Sequence, residues 1–203
     1  LHPRVRRQRQ MCIRDRYTIM TMFYLVFLVD VAKLNAVTAS AIILGGRIFD
    51  ALNDPIMGMI VDKTRSKWGK MRPYLLFSPI PVCVSTILLF IAPFQSSAAA
   101  TVYAACTYVL WGVCFTIQDV PFWGLTSVIT PNEKERTQFI SNGRLGSTFG
   151  GILPALLIPI LRQSSLGLRG GYLFGAILFG VMGALLSSLA FFTTKERIEP
   201  STT

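Results

Sequence analysis

Apolar and polar positions in this chain separate into long blocks rather than short alternations. Six apolar blocks stand out, at about 17–31, 36–61, 73–93, 99–128, 139–161 and 171–194. A helix of about 20 such residues crosses a hydrocarbon layer about 30 Å thick. The ten-residue alternation of a transmembrane strand is absent, and an isolated strand cannot satisfy its backbone groups in lipid. The pattern predicts an all-α integral membrane protein, a six-transmembrane-helix bundle over residues 17–203. The first block is short for a span, which fits a truncated first helix.

The polar blocks set the orientation. Lys63, Arg65, Lys67, Lys70, Arg72, Lys134, Arg136, Lys195 and Arg197 fall on one side, against Lys33, Arg162 and Arg169 on the other. Basic loops stay in the cytoplasm, so both termini of the bundle are expected there, in a plasma (inner) membrane. Pro55, Pro79, Pro81, Pro121, Pro154 and Pro159 lie inside spans as expected kink sites. Gly146-x-x-x-Gly150 and Gly171-x-x-x-Gly175 permit close helix approach within one bundle.

Composition agrees with the pattern. Hydrophobic residues make up 52% and charged residues 15%, against about a quarter charged in soluble domains. Cys83, Cys106 and Cys114 lie in apolar blocks and read as small buried side chains, and the single histidine, His2, is terminal. No nucleophile–base pair, metal motif or phosphate loop is present, so an enzyme is not expected and no catalytic residue or cofactor is assigned. Of the net charge of +10, residues 1–16 supply +5. A basic tail of this kind can bind acidic lipid or nucleic acid. Here, however, "RQMCIRDR" resembles the peptide encoded by an in-frame sequencing-library adapter, so residues 1–16 are set aside as non-native and no nucleic-acid partner is expected.

The ionisable groups inside the apolar blocks change the picture most. Arg47, Asp50, Asp54, Gly58 and Asp62 follow one another at three- or four-residue spacing and form one helical stripe. Leu44, Ile48, Leu52, Ile56 and Met59 form the dry face. A charge near the bilayer centre costs at least about 2.5–3.5 kcal/mol, and two carboxylates one turn apart also repel. An internal salt bridge with Arg47, protonation of one carboxylate, or a bound hard cation such as sodium would each offset this. Asp119, in the fourth block, lies at a depth comparable to Asp54, flanked by Trp111 and Trp123. An indole beside a carboxylate inside a bundle suggests a platform for a sugar. Arg144 opens the fifth block and can oppose Asp119 across a helix interface.

"GRIFDALNDPIMGMIVDKTRSKWGKMRPYLLF", "TYVLWGVCFTIQDVPFWGL" and "ERTQFISNGRLG" resemble the glycoside–pentoside–hexuronide:cation symporters of the major facilitator superfamily. The resemblance implies a cation site at Asp50 and Asp54, for sodium or a proton, with Asn53 and Thr116 beside it. It implies a sugar or glycoside site at Asp119, Trp123 and Arg144. Phe115 stands where melibiose permease carries a sugar-site tyrosine, and the acidic sugar ligand of helix one falls near Arg14, inside the suspect tail. "GMIVDKTRSKWGK" looks like the superfamily's cytoplasmic gating loop, with Gly58, Asp62 and Arg65 in place. The family fold has twelve helices, so the chain is expected to be the N-terminal half of a cation-coupled symporter, in a lipid bilayer and completed by a C-terminal half. An animal-type lipid or amphiphile carrier on the same fold is the alternative.

Overall fold

Asn35 starts the helix that carries the carboxylate stripe: its side-chain oxygen accepts a hydrogen bond from the Val37 N–H at 3.0 Å, satisfying one of the orphan donors of a helix N-terminus. The computed structural model in which this is seen describes residues 17, 20, 22–67, 71–94, 97–129, 133–163 and 167–193. The described residues contain only helices and their connections. These are α1 (22–30), α2 (Ala36–Lys63), α3 (Arg72–Phe77), α4 (Pro79–Leu89), α5 (Ser97–Ile129), α6 (Glu133–Gln163) and α7 (Gly167–Thr193). The suspect segment 1–16 and the basic residue Lys70 lie outside the described residues.

Six expected spans become seven helices because the third is broken at Ser78. Pro79 and Pro81 lack the N–H groups that would reach back one turn. Ser78 itself keeps helical dihedrals (φ −68°, ψ −28°) and still donates to Tyr74 O at 2.9 Å, so α3 and α4 form one interrupted span. The fifth span begins earlier than its apolar block. Helix α6 starts at Glu133, so Lys134 and Arg136 stand on its first turn rather than in a loop, and Arg144 lies well inside it. Apolarity marks where lipid begins, whereas the helix continues into the headgroup region. Ala98–Gly124 and Gly167–Leu185 are long and apolar enough to cross a membrane on composition alone, and Pro79–Leu89 and Gly151–Gln163 are shorter apolar stretches. Helix α2 carries its charges inside and so reads less clearly by hydropathy.

Helix α2 packs along α5, α4 lies against both α5 and α7, and α6 packs on α7. Helix α1 threads the middle. Tyr24 stacks on Tyr108 of α5 at 5.5 Å and donates to Ala104 O at 3.1 Å, while Phe27 meets Phe90 at 5.1 Å and Tyr172 of α7 at 5.6 Å. Such ring pairs contribute about 0.5–1.5 kcal/mol each beyond area burial. At the far end of α1, Asp30 accepts from Arg162 of α6 at 3.1 Å, and Arg162 also lies over the Tyr172 ring. Both partners of that ion pair are partly exposed, so it fixes which helix ends meet more than it stabilises them.

The α2–α5 contact is the closest. A methyl group on Gly46 would fall inside the Tyr108 ring. Gly46→Ala is therefore expected to push α2 off α5 and lower stability in detergent by about 1–3 kcal/mol, the usual cost of overpacking. Gly45→Ala, where an added methyl meets nothing within 4 Å, is expected to be neutral or to gain up to about 1 kcal/mol from helix propensity. Thermal midpoints of the two variants decide it: equal values would show that α2 is not seated on Tyr108.

Candidate functional site

The sequence stripe on α2 and a second series on α5 meet residue by residue. Gly46 faces Tyr108, Asp50 faces Gly112, and the Thr116 hydroxyl donates to Asp54 Oδ1 at 3.0 Å. Each step is four residues on both helices, so the two run in the same direction and in step. At 1.5 Å per residue, Asp119 lies about 4.5 Å beyond Thr116 along the axis. Asp119 therefore lies most of a turn beyond the level of Asp54 rather than beside it.

Gly112 is required by the fit. A methyl group there would lie 2.5 Å from Asp50 Oδ1, inside the range where atoms overlap. The missing side chain leaves room for a half-buried carboxylate between two helices. Asp54, one turn on, is exposed, and Asn53 is half-buried with no hydrogen bond to either carboxylate or to Thr116. Thr116 itself is buried, at 4% exposure. The structure thus joins Asp54 to Thr116 directly and seats Asp50 against Gly112 one turn away; carboxylate and hydroxyl oxygens are hard donors of the kind that hold hard cations.

The dry face of α2 is as expected: Leu44, Ile48, Leu52, Ile56 and Met59 are all exposed on the outside of the helix. The role of Arg47 differs from the internal salt bridge weighed above. Among the described residues no ion pair joins Arg47 to Asp50. The guanidinium instead donates from Nη1 to the Tyr17 hydroxyl at 2.9 Å and lies over the Tyr17 ring at 5.2 Å. Spacing along one helix shows that Arg47 can reach Asp50, but not that Tyr17, ahead of α1, competes for it. The hydroxyl of Tyr108, fully buried, has no hydrogen-bond partner among the described residues.

Beside the carboxylate series, α5 carries a second one at the same spacing: Trp111, Phe115, Asp119 and Trp123. Trp111 is not a free platform. It is 1% exposed and its indole N–H donates to Thr86 Oγ1 at 3.1 Å, so its ring belongs to the core. The buried hydroxyl of Thr86, which in turn donates to Val82 O, is the partner that a tryptophan in this position needs. Phe115 stacks on Trp111 at 4.9 Å and lies 5.5 Å from the Tyr17 ring. Phe115, Asp119 and Trp123 are all half-buried, and Trp123 packs edge-on against Phe122 at 5.7 Å. The side chain of Arg144 lies outside the described residues.

At the other end of α2 the gating-loop residues Asp62 and Arg65 are exposed, and Gly58 is half-buried with space around it. Thr64 organises this end. Its hydroxyl bonds Ile60 O at 2.9 Å and the Tyr74 hydroxyl at 2.6 Å, tying the end of α2 to α3. Neither Tyr74 nor Tyr17 stood out in the sequence, since each acts through a partner on another helix.

A family model described as MFS/sugar transport protein matches residues 15–203. The chain is 36% identical over 90% of its length to the uncharacterized symporter YnaJ of Bacillus subtilis. It is 34% identical over 90% to the inner membrane symporter YicJ of Escherichia coli, and 28% identical over 90% to an isoprimeverose transporter of Lactiplantibacillus pentosus. It spans about 40% of the length of each of these relatives. The family agrees with an all-α membrane bundle of the major facilitator type, and the chain belongs to the MFS/sugar transport protein family.

Proposed function

We propose that this chain forms the N-terminal helical half of a cation-coupled sugar or glycoside symporter, with its termini on the cytoplasmic side of the plasma (inner) membrane. The observation that carries the reading is the in-step pairing of α2 and α5, with the Thr116 hydroxyl on Asp54 and Asp50 seated against Gly112. A polar stripe held at that depth has no packing reason to be there, and intramembrane carboxylates mark ion pathways. The relatives named as symporters, and one as an isoprimeverose transporter, support a sugar as cargo.

In this reading sodium or a proton neutralises the Asp50/Asp54 pair, with Thr116 orienting Asp54 and Asn53 standing by. The sugar sits against Phe115 and Trp123, with Asp119 and Arg144 meeting its hydroxyls. Gly58, Asp62 and Arg65 belong to the cytoplasmic gate. Ion and sugar bind cooperatively because each relieves charge or orders side chains that the other uses, a reciprocal coupling of free energies. Alternating access requires a second bundle to rock against this one around a midplane site.

Two outcomes are expected. In the full-length transporter, Asp54→Asn abolishes the ion dependence of sugar uptake, and Thr116→Ala weakens apparent ion affinity by about tenfold or more, the loss of a hydrogen bond to a charged group. Uptake that keeps its wild-type ion dependence in Asp54→Asn removes that carboxylate from coupling. The 203-residue chain reconstituted alone in vesicles is expected to give no ion-driven sugar uptake, and uptake under an imposed sodium or pH gradient checks this directly.

A further inference from the structure

Arg47 stands between two regions that the functional reading keeps apart. It lies on the carboxylate stripe three residues before Asp50, a spacing at which helical side chains of opposite charge interact. Yet its hydrogen bond goes to Tyr17, ahead of α1, at 2.9 Å, and Tyr17 in turn lies 5.5 Å from Phe115, ring to ring. Tyr17 is half-buried and, like Phe115, packs at the edge of the aromatic core.

A guanidinium has five donors in a planar fork, and it cannot lose its charge. Its choice of partner therefore follows the charge on its neighbours. An unneutralised Asp50 draws Arg47 along α2, toward the side where the buried Tyr108 hydroxyl also has no partner among the described residues. A cation at the carboxylates cancels that pull and leaves Arg47 on Tyr17. The tyrosine then has a fixed hydroxyl and a fixed ring beside Phe115. Ordering a pocket wall before the substrate arrives lowers the cost of binding, which is positive cooperativity.

We propose that Tyr17 is the positioning residue through which ion occupancy at Asp50 reaches the sugar pocket, Arg47 being the connecting group. The proposal rests on the symporter reading above and adds to it the route of coupling. The phenolic hydroxyl is the element that matters: without it Arg47 loses its acceptor at residue 17, although the ring can still pack on Phe115.

The test uses the full-length transporter and a panel of nitrophenyl hexosides and pentosides. Their dissociation constants are measured with and without the coupling ion, supplied as sodium or, in sodium-free buffer, as protons. In the wild type the ion is expected to raise affinity by a factor within the roughly 5–150-fold range of site-to-site coupling. Tyr17→Phe brings that factor close to one while ion-free affinity stays near wild type. Arg47→Lys, which keeps the charge but loses the planar fork, acts in the same direction. Tyr24→Phe, which removes the hydrogen bond to Ala104 O in the core, leaves the factor unchanged and controls for structural loss. A wild-type factor retained in Tyr17→Phe overturns the proposal alone. A wild type that binds no glycoside, or binds it with no dependence on either ion, overturns the symporter reading and the proposal with it.

Discussion

Helices α2 and α5 can hold two carboxylates in an apolar bundle only because they run in the same direction with a shared four-residue step. Each of the two carboxylates on α2 then meets a position on α5 that makes room or makes a bond. Tyr108 occupies the space that Gly46 leaves, Gly112 leaves the space that Asp50 occupies, and Thr116 satisfies Asp54. A slip of one residue would set Asp50 against the bulk of Val113 or Trp111 and strand Asp54 without its donor. The clash at Asp50 and the lost hydrogen bond at Asp54 together select the register. Opposite this seam, the dry face of α2 is left outward, so the same alignment decides which residues meet lipid.

The remaining helices serve that seam. The aromatic cluster of Tyr24, Phe27, Phe90, Tyr108 and Tyr172 joins α1 to α4, α5 and α7. Trp111 extends the cluster toward the site and is fixed by Thr86 on α4. Helix α5 thus presents one series to the carboxylates and an adjacent one to the aromatic wall, and the buried part of that wall holds it in orientation. Asp30 and Arg162 close the outer end, and Thr64 with Tyr74 closes the end toward the basic loop.

Much of this was legible in the sequence, and the parts that were not share a cause. The stripe of Arg47, Asp50 and Asp54, the outward face of Leu44 through Met59, and the break near Pro79 follow from periodicity and backbone chemistry within one helix. The direction of α2 and α5 follows from counting spans. What spacing cannot supply is the partner across an interface. Trp111 and Trp123 have the same composition around them, yet one is sealed in the core and the other half-open, because only Trp111 has Thr86 opposite. Arg47 was within reach of Asp50 by spacing, but Tyr17, on a helix thirty residues away, holds it instead. The start of α6 was misplaced for a related reason: hydropathy reports the solvent around a helix and not the helix itself.

Asp50 and Asp54 are one turn apart and chemically identical, but the bundle treats them differently. Asp50 is half-buried against Gly112, with Arg47 and the Tyr108 hydroxyl close by. Asp54 is exposed and its structural tie is to the neutral Thr116. In the proposed symporter reading, a cation arriving from water would meet Asp54 first, while a change of charge at Asp50 would be felt by groups that reach the aromatic wall. That reading divides capture of an ion, at a carboxylate held by a hydroxyl, from the response to it, at a carboxylate one turn away. That division is what two acidic residues on one stripe supply and a single one would not.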